Sequence, residues 1–528
     1  MRHMKLVGIL AVVGAGCATG DDDVDSTNTA QASQSPLMEV SAAVQHDMSQ
    51  PLRNAPAFTA PARTRKEHPI GRFRIAGPEL NDAVVQAAHA AQLSAPTTPG
   101  LNFAGVGNGD YGFDPNSAPP DTNGVVGATQ YVQWVNQSFA VFDKTTGAIA
   151  AGFPKNGNSL WAGFGGGCQN NNDGDPLVQY DKAANRWILS QFSVSTTPFL
   201  QCVAVSTTSD ATGTYARYAF QYANFPDYPK MGVWPDGYYI SFNIFGNSFL
   251  GGLACAYDRT KMLAGLPANQ ICFGPISSFA SPLPSDLDGS TAPPAGSPNF
   301  FVNLQTTTSL NLFKFHADFA TPANSTFTGP TVITVPGFAT AATVPQQDTS
   351  QRLDALSDRL MYRLAYRNIG GHEAMVVTHS VAGPKVRGVS TAGVRWYELR
   401  SPGTGTFSLF QSATFSPDTR HRWMGSAAMD KVGNIALGYS LSSGTTRPAL
   451  GYATRTPADA PGTLANEVIF KQGTGSQLTG LSRWGDYSTT SIDPVDDCTF
   501  WFTGEYLKAN GTFNWSTQIT SFKVAGCQ

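Results

Sequence analysis

Acids, arginines and aromatics stand at the starts of a phrase that this sequence repeats. Together they are the inventory of a sugar site. Asp121, Asp175, Lys230, Asp288, Arg352, Asp354, Arg422, Arg483 and Asp486 occupy those starts, with Trp423, Trp484 and Tyr487 beside them. Paired carboxyls do proton work, guanidinium forks hold carboxylates bidentately, and aromatic faces stack on sugar rings. The densest clusters are Arg483-Trp484-Gly485-Asp486-Tyr487 and Arg420-His421-Arg422-Trp423. The same residue types also pair with one another between neighbouring strands, or pack as Arg-on-Trp stacks. Each therefore has a structural reading beside the chemical one.

Histidine is scarce, 8 in all, and only His316, His372, His379 and His421 fall in the main body of the chain. His372-Glu373, just after Gly370-Gly371, offers a base or proton shuttle; a hydrogen-bonded loop histidine explains it equally. Too few histidines stand together for a copper or quinone oxidoreductase. Residues 169–175 (QNNNDGD) and 108–114 (NGDYGFD) are oxygen-rich and could hold a structural Ca2+, although neither has the acid spacing of an EF-hand loop. Plain Asn/Gly turns are the alternative, and no other cofactor is expected. The sequence has no P-loop, no dinucleotide fingerprint, no H-E-x-x-H and no G-x-S-x-G.

The elements that must position these residues are short strands. Copies of the repeated phrase begin at 121, 175, 230, 354, 423 and 484, with a weaker one at 288 continuing through 300–315. DTNGVVGATQYVQWVN and KMGVWPDGYYISFN show its form: a polar start, a Gly/Asp/Asn turn, then β-formers at near two-residue periodicity. A long fixed period with several short strands per unit predicts a seven-bladed β-propeller of four-stranded blades over 99–528. The last unit is the shortest, and 99–120 supplies about what it lacks. The N-terminal segment is therefore expected to add a strand to the last blade and close the ring, removing two bare sheet edges. In a propeller the first strand of each blade lines the channel, so the repeat starts should gather at one mouth.

The phrase SIDPVDDCTFW at 491–501 resembles a stretched Asp-box, the Ser-x-Asp-x-Gly-x-Thr-Trp hairpin of sialidase-like propellers, with a longer turn and the Gly replaced. In that family the Asp ties the turn to the backbone and the Trp packs between blades. Residues 181–187 and 430–435 hold the same place in their units, and the body from 99 also resembles a group of uncharacterised secreted bacterial propeller proteins. A sialidase-type mechanism would cast Arg352, Arg422 and Arg483 around a substrate carboxylate, Asp121 as acid, and Tyr487 with Glu373 as the nucleophile pair. Asp486 and His372 complete the catalytic set. Asp175, Lys230, Arg352, Asp354, Trp423 and Trp484 would line the substrate. Lyase chemistry on uronates draws on the same inventory, so no motif fixes the casting.

Composition narrows the surroundings. Charged residues make up only 13% and the formal charge is −3, which excludes an electrostatic case for nucleic acid. Residues 1–17 read as a leader, with Arg2, His3 and Lys5 before LVGILAVV. Its end, Gly14-Ala15-Gly16-Cys17, resembles the lipobox of bacterial lipoproteins, which implies lipidation of Cys17 and anchoring to a membrane; ordinary secretion is the alternative. The other cysteines fall in neighbouring pairs, Cys168/Cys202, Cys255/Cys272 and Cys498/Cys527, as disulfides of an exported protein would, though spacing alone leaves the connectivity open. Residues 18–98 read as a tether and linker with one short helix over 80–92. Its basic patch (Arg63, Arg65, Lys66, Arg72, Arg74) is a solvated linker or a propeptide-like segment. The expectation is a monomeric, exported, lipid-anchored propeller acting on acidic glycans as hydrolase or lyase. The rival is a non-catalytic module that binds carbohydrate or protein.

Overall fold

The computed structural model describes residues 36–56, 66–67, 70–89, 96–386 and 388–528. The expected leader with Cys17, and Arg63 and Arg65 of the basic patch, lie outside the described residues.

The described chain is all-β. It lays antiparallel strands one beside the next, then starts afresh with a new first strand. These first strands are Asn123–Val126, Leu177–Asp181, Phe225–Val233, Leu283–Leu287, Met361–Asn368, His421–Met429 and Thr489–Ile492. Each pairs antiparallel with the strand that follows it. They pack side by side in chain order, and Thr489–Ile492 packs against Asn123–Val126. They are called inner strands below, and each begins one run of strands; Leu283–Leu287 and Met361–Asn368 also pair parallel with each other, which joins their two runs into one nine-stranded sheet.

Local chemistry explains the turns. Asn136, between Gln130–Val135 and Ser138–Asp143, takes φ of 37°, a conformation Asn tolerates better than most residues. The D-K-x-x-N turns at Asp181 and Asp430 close alike: Asp181 Oδ1 accepts the Ala184 N–H at 3.0 Å, and Asp430 Oδ1 accepts the Asn434 N–H at 2.9 Å. In the Asp-box-like turn, Asp496 Oδ1 accepts the N–H groups of Cys498 and Thr499 at 2.9 Å. Trp501 then packs 5.3 Å from Tyr131 of the first run. Such aromatic faces fill the space between successive runs, and each fully buried large side chain is worth about 1.5–3 kcal/mol.

Thr97–Ala104 pairs antiparallel with Trp515–Val524, the last strand of the last run. The cysteines bond as neighbouring pairs, Cys168–Cys202, Cys255–Cys272 and Cys498–Cys527. Cys255 and Cys272 face each other across adjacent strands. No helix among the described residues is long and apolar enough to cross a membrane.

The N-terminal region departs from the expected tether. Met38–Ala42 pairs with Asn269–Ile276, and Gln45–Met48 with Tyr215–Tyr222. These are the outer edges of two runs, where unpaired N–H and C=O groups invite another strand. The helix expected over 80–92 is absent from its described part, 80–89, where Val85–Gln86 instead pairs parallel with Ser408–Phe415. Local helix propensity loses there to tertiary capture. Asp82 takes the Val84 N–H at 2.9 Å and ion-pairs with the fully buried Arg395 at 2.6 Å, which fixes an extended path.

Candidate functional site

Just upstream of several inner strands, or at their starts, one residue turns the chain inward through the left-handed region. Asp121, Asp175, Tyr228 and Asp486 have φ of 49°, 46°, 55° and 60°. Asp bears this conformation better than most side chains, which helps explain an acid at three of the four positions. The turns deliver Asp121, Asp175, Lys230, Asp486 and Tyr487 to one place, together with Asp227, Tyr228, Arg359 and Arg483.

The cluster is tightly built. Asp121 Oδ2 accepts from Asn136 Nδ2 at 2.7 Å. Arg483 donates to Asp486 through Nε at 3.1 Å and also through Nη2. Lys230 lies fully buried, its Nζ 3.4 Å from the centre of the Tyr228 ring and 4.0 Å from that of Tyr487, and donates to the Pro229 carbonyl at 2.8 Å. Tyr228 donates to the Asp486 carbonyl and Tyr487 to that of Pro176, each at 3.2 Å. Glu505 accepts the Gly485 N–H at 2.7 Å from behind.

Burial and crowding of like charge set the protonation. Burial, reinforced by Asp486 and Asp175, holds the Asp121 carboxyl well above the usual range against the pull of Arg483 and Lys230. Burial likewise lifts Asp227 to about 7 with Asp175 adding to it, and Asp175, the most exposed of the three, to about 6 with Asp486 adding to it. Burial brings the Lys230 ammonium down to about 8 although Asp175 and Asp121 support its charge. Carboxyls that keep a proton near neutral pH, beside others that have lost theirs, are equipped for general acid–base work.

A short piece of the N-terminal segment reaches this cluster. Ile70 packs on Tyr228, Tyr362 and Tyr487. The Phe73 N–H donates to Asp358 Oδ2 at 2.9 Å, Arg359 donates to the Gly71 carbonyl, and Arg72 ion-pairs with Asp354.

The remaining expected residues lie elsewhere. Arg422 is held between Asp418 at 2.9 Å and Glu467 at 2.7 Å and packs over Phe415, so its fork is spent inside the fold. Trp423 and Trp484 are fully buried with ring centres 5.9 Å apart, and Trp484 Nε1 donates to Ser440 Oγ; they are packing residues, not sugar platforms. Glu373 is buried and accepts from the Tyr366 hydroxyl at 2.7 Å and from Ser401 at 3.0 Å, whereas the Tyr487 hydroxyl donates to the Pro176 carbonyl, so the two do not form the expected pair. His372 sits in a loop beside Arg400, where burial first and then that guanidinium lower its pKa. Arg352 is bound to Thr343 on the surface. Asp288 belongs to the other end of the inner strands, where Arg363 links Asp286 at 2.7 Å and Asp288 at 2.8 Å, and Lys182 approaches Asp288 at 3.3 Å. Burial alone would raise Asp288, but Arg363 and Lys182 pull it down to about 2. A cavity of ≈ 290 Å³ opens nearby, lined by Lys182, Trp234, Arg259 and Leu287.

In both oxygen-rich loops, side-chain oxygens are engaged within the protein. Asp173 accepts the N–H groups of Val194 and Ser195, Asn172 Oδ1 takes that of Asn158, and Asp110 pairs with Lys508. Among the described residues His89, Asp418 and Glu467 bring ligand atoms together, but both carboxylates already hold Arg420 and Arg422.

Sequence reasoning missed Asp227, Tyr228, Arg359 and Glu505. The D-Y-P-K phrase before Lys230 was the available signal for the first two, since its polar start precedes Lys230 as DPL precedes the second run. Glu505 lies in the middle strand of the last run, and nothing in its sequence context points inward.

No family model and no curated protein matches this chain. Among solved structures, it is similar to an α-L-arabinanase of Penicillium chrysogenum complexed with arabinobiose, at 8% identity and TM-score 0.36 over 81% of this chain and 100% of that one. An endosialidase of phage phi92 aligns at 7% identity and TM-score 0.34 over 81% of this chain and 69% of that one. The α-L-arabinanase of Cellvibrio cellulosa aligns at 14% identity and TM-score 0.26 over 55% and 94%. Likenesses this slight carry neither fold nor activity.

Proposed function

We propose that the runs of strands are the blades of a seven-bladed β-propeller, closed where Thr97–Ala104 joins the last run, and that its mouth hydrolyses extracellular glycans. The observation that carries the activity is the buried group of Asp121, Asp175 and Asp227 around Lys230, with carboxyls poised near neutral pH. Asp227, which keeps its proton to about 7, is the general acid, and Asp175, beside Lys230 and Arg483, is the carboxylate that acts on water or the sugar. Tyr228 and Tyr487 offer ring faces. Charge inventory favours neutral sugars over the acidic ones that the arginines first suggested. Of the three arginines behind that suggestion, Arg422 and Arg483 each already hold a carboxylate, and Arg352 is turned onto surface Thr343, so no guanidinium trio stands together for a substrate carboxylate. The disulfides fit an oxidising compartment, and export with anchoring at Cys17 completes the reading.

The test is release of reducing ends by the purified chain from neutral glycans (arabinan, galactan) and acidic ones (polysialate, polyuronate). Turnover on the neutral set that falls by about a hundredfold or more in both Asp227→Asn and Asp175→Asn supports the roles. Turnover indifferent to both substitutions overturns them. One observation favours a second reading as a binding module: Arg483–Asp486, Lys230 and residues 70–73 fill the mouth with the protein's own groups. Glycan binding without turnover would select it.

A further inference from the structure

We propose that residues 70–74 are a built-in cover over the carboxyl cluster, which must move aside before a ligand enters; this regulation rests on the glycan-acting reading of the same mouth. The contacts are too particular for a passing linker. Arg72 reaches Asp354, the Phe73 N–H is fixed on Asp358 at 2.9 Å, and the Gly71 carbonyl is held by Arg359. The Phe73 ring meets Phe249 edge-on at 4.8 Å and lies 5.2 Å from the Arg359 guanidinium. A Cβ at Gly71 would come within 2.4 Å of Phe245 Cζ, so the backbone lies directly on that ring. Ile70 seals the tyrosines that sandwich Lys230.

The cover is anchored separately on its downstream side. Thr307 donates its N–H to the Ala76 carbonyl at 2.9 Å and its hydroxyl to that of Pro78 at 2.8 Å, and Thr340 donates its N–H to Glu79 at 2.7 Å. Residues 70–74 can therefore swing while 76–79 stay in place. The Arg72 side chain is 48% exposed, and an ion pair that open to water is weak and salt-sensitive, as a movable cover requires.

The test reads Lys230 directly. The whole chain is treated with an amine-acylating reagent, and the rate at Lys230 is followed by peptide mass spectrometry, with exposed Lys261 as internal standard. In Arg72→Glu, where attraction to Asp354 becomes repulsion, labelling of Lys230 is expected to rise roughly tenfold. Phe73→Ala, which leaves the ion pair intact, is expected to act in the same direction and serves if the charge reversal fails to fold. An unchanged Lys230 rate in a variant that retains its disulfides and near-UV dichroism overturns the cover. Glycan turnover in the same samples separates the two readings. Faster labelling without turnover upholds the cover and removes the hydrolase, while wild-type turnover with unaltered labelling does the reverse.

Discussion

The two ends of the inner strands use the same residue types to opposite effect. Upstream, Asp121, Asp175, Asp227 and Asp486 crowd around Lys230 and Arg483, and the first three carboxyls are driven upward. Downstream, Asp286 and Asp288 share the bidentate reach of Arg363, Lys182 supports the second, and Asp288 is driven down to about 2. Burial is comparable, so depth does not separate the two ends. The ratio of cations to carboxyls does. Where guanidinium donors match the oxygens, an acid becomes a fixed structural ion; where acids outnumber them, burial wins and a proton is retained. The downstream group therefore braces the fold, and the upstream group holds protonation energy that chemistry can use.

Removing the matching cation would break the comparison most severely. Arg363→Met leaves buried Asp286 without its cation and Asp288 with Lys182 alone, and should cost about 3–5 kcal/mol, read as a shift in urea midpoint at pH 7. Next comes Asp227→Asn, which should lower glycan turnover by about a hundredfold while raising stability at pH 7 by roughly 1–3 kcal/mol, because a strained carboxylate is replaced by a neutral amide. Loss of stability together with activity would mean that Asp227 is structural, like Asp288.

The pH dependence sharpens the same contrast. Asp175 and Asp227 have folded pKa values of about 6 and about 7, above the ordinary 3.8, so the folded state holds their protons longer than the unfolded chain does. Their contribution is full below about 4 and is lost as pH rises through about 7. Asp288 runs the other way: with a folded value of about 2, its contribution is present above 3.8 and lost as pH falls through about 2. Urea midpoints measured from pH 4 to 7 should show a falling component that Asp227→Asn flattens and Asp288→Asn leaves in place. At the small end, Arg352→Ala should change stability by less than about 0.5 kcal/mol and leave turnover unaltered, since Arg352 holds only surface Thr343. A loss of activity there would return it to the substrate site.

Much of the fold was legible, and the reasons are local. Alternation in YVQWVN and YYISFN, the D-K-x-x-N turns and the Cys255/Cys272 and Cys498/Cys527 pairs all act over a few residues or one hairpin, where sequence neighbours are spatial neighbours. The site was legible only where an acid at a repeat start is also the left-handed residue that turns inward, as at Asp121, Asp175 and Asp486. The Arg-Trp pairs misled because they repeat for packing: Trp423 and Trp484 lie against each other, and Arg422 finds Asp418 and Glu467 between strands. The expected helix over 80–92 gave way to long-range partners such as Arg395 and Ser408–Phe415 that no window around it contains.

By itself, the sequence determined that this chain makes short, turn-rich antiparallel strands in successive units, with acids where several units begin and cysteines in neighbouring pairs. Only the tertiary structure decided which acids share a cation and which outnumber it, that Glu505 and Arg359 face the cluster, and that residues 70–74 lie across it. The physical reason is range. Turn and strand preferences are set within a few residues, whereas a carboxyl's charge is set by desolvation and by partners brought from distant units, and those exist only once the inner strands stand side by side.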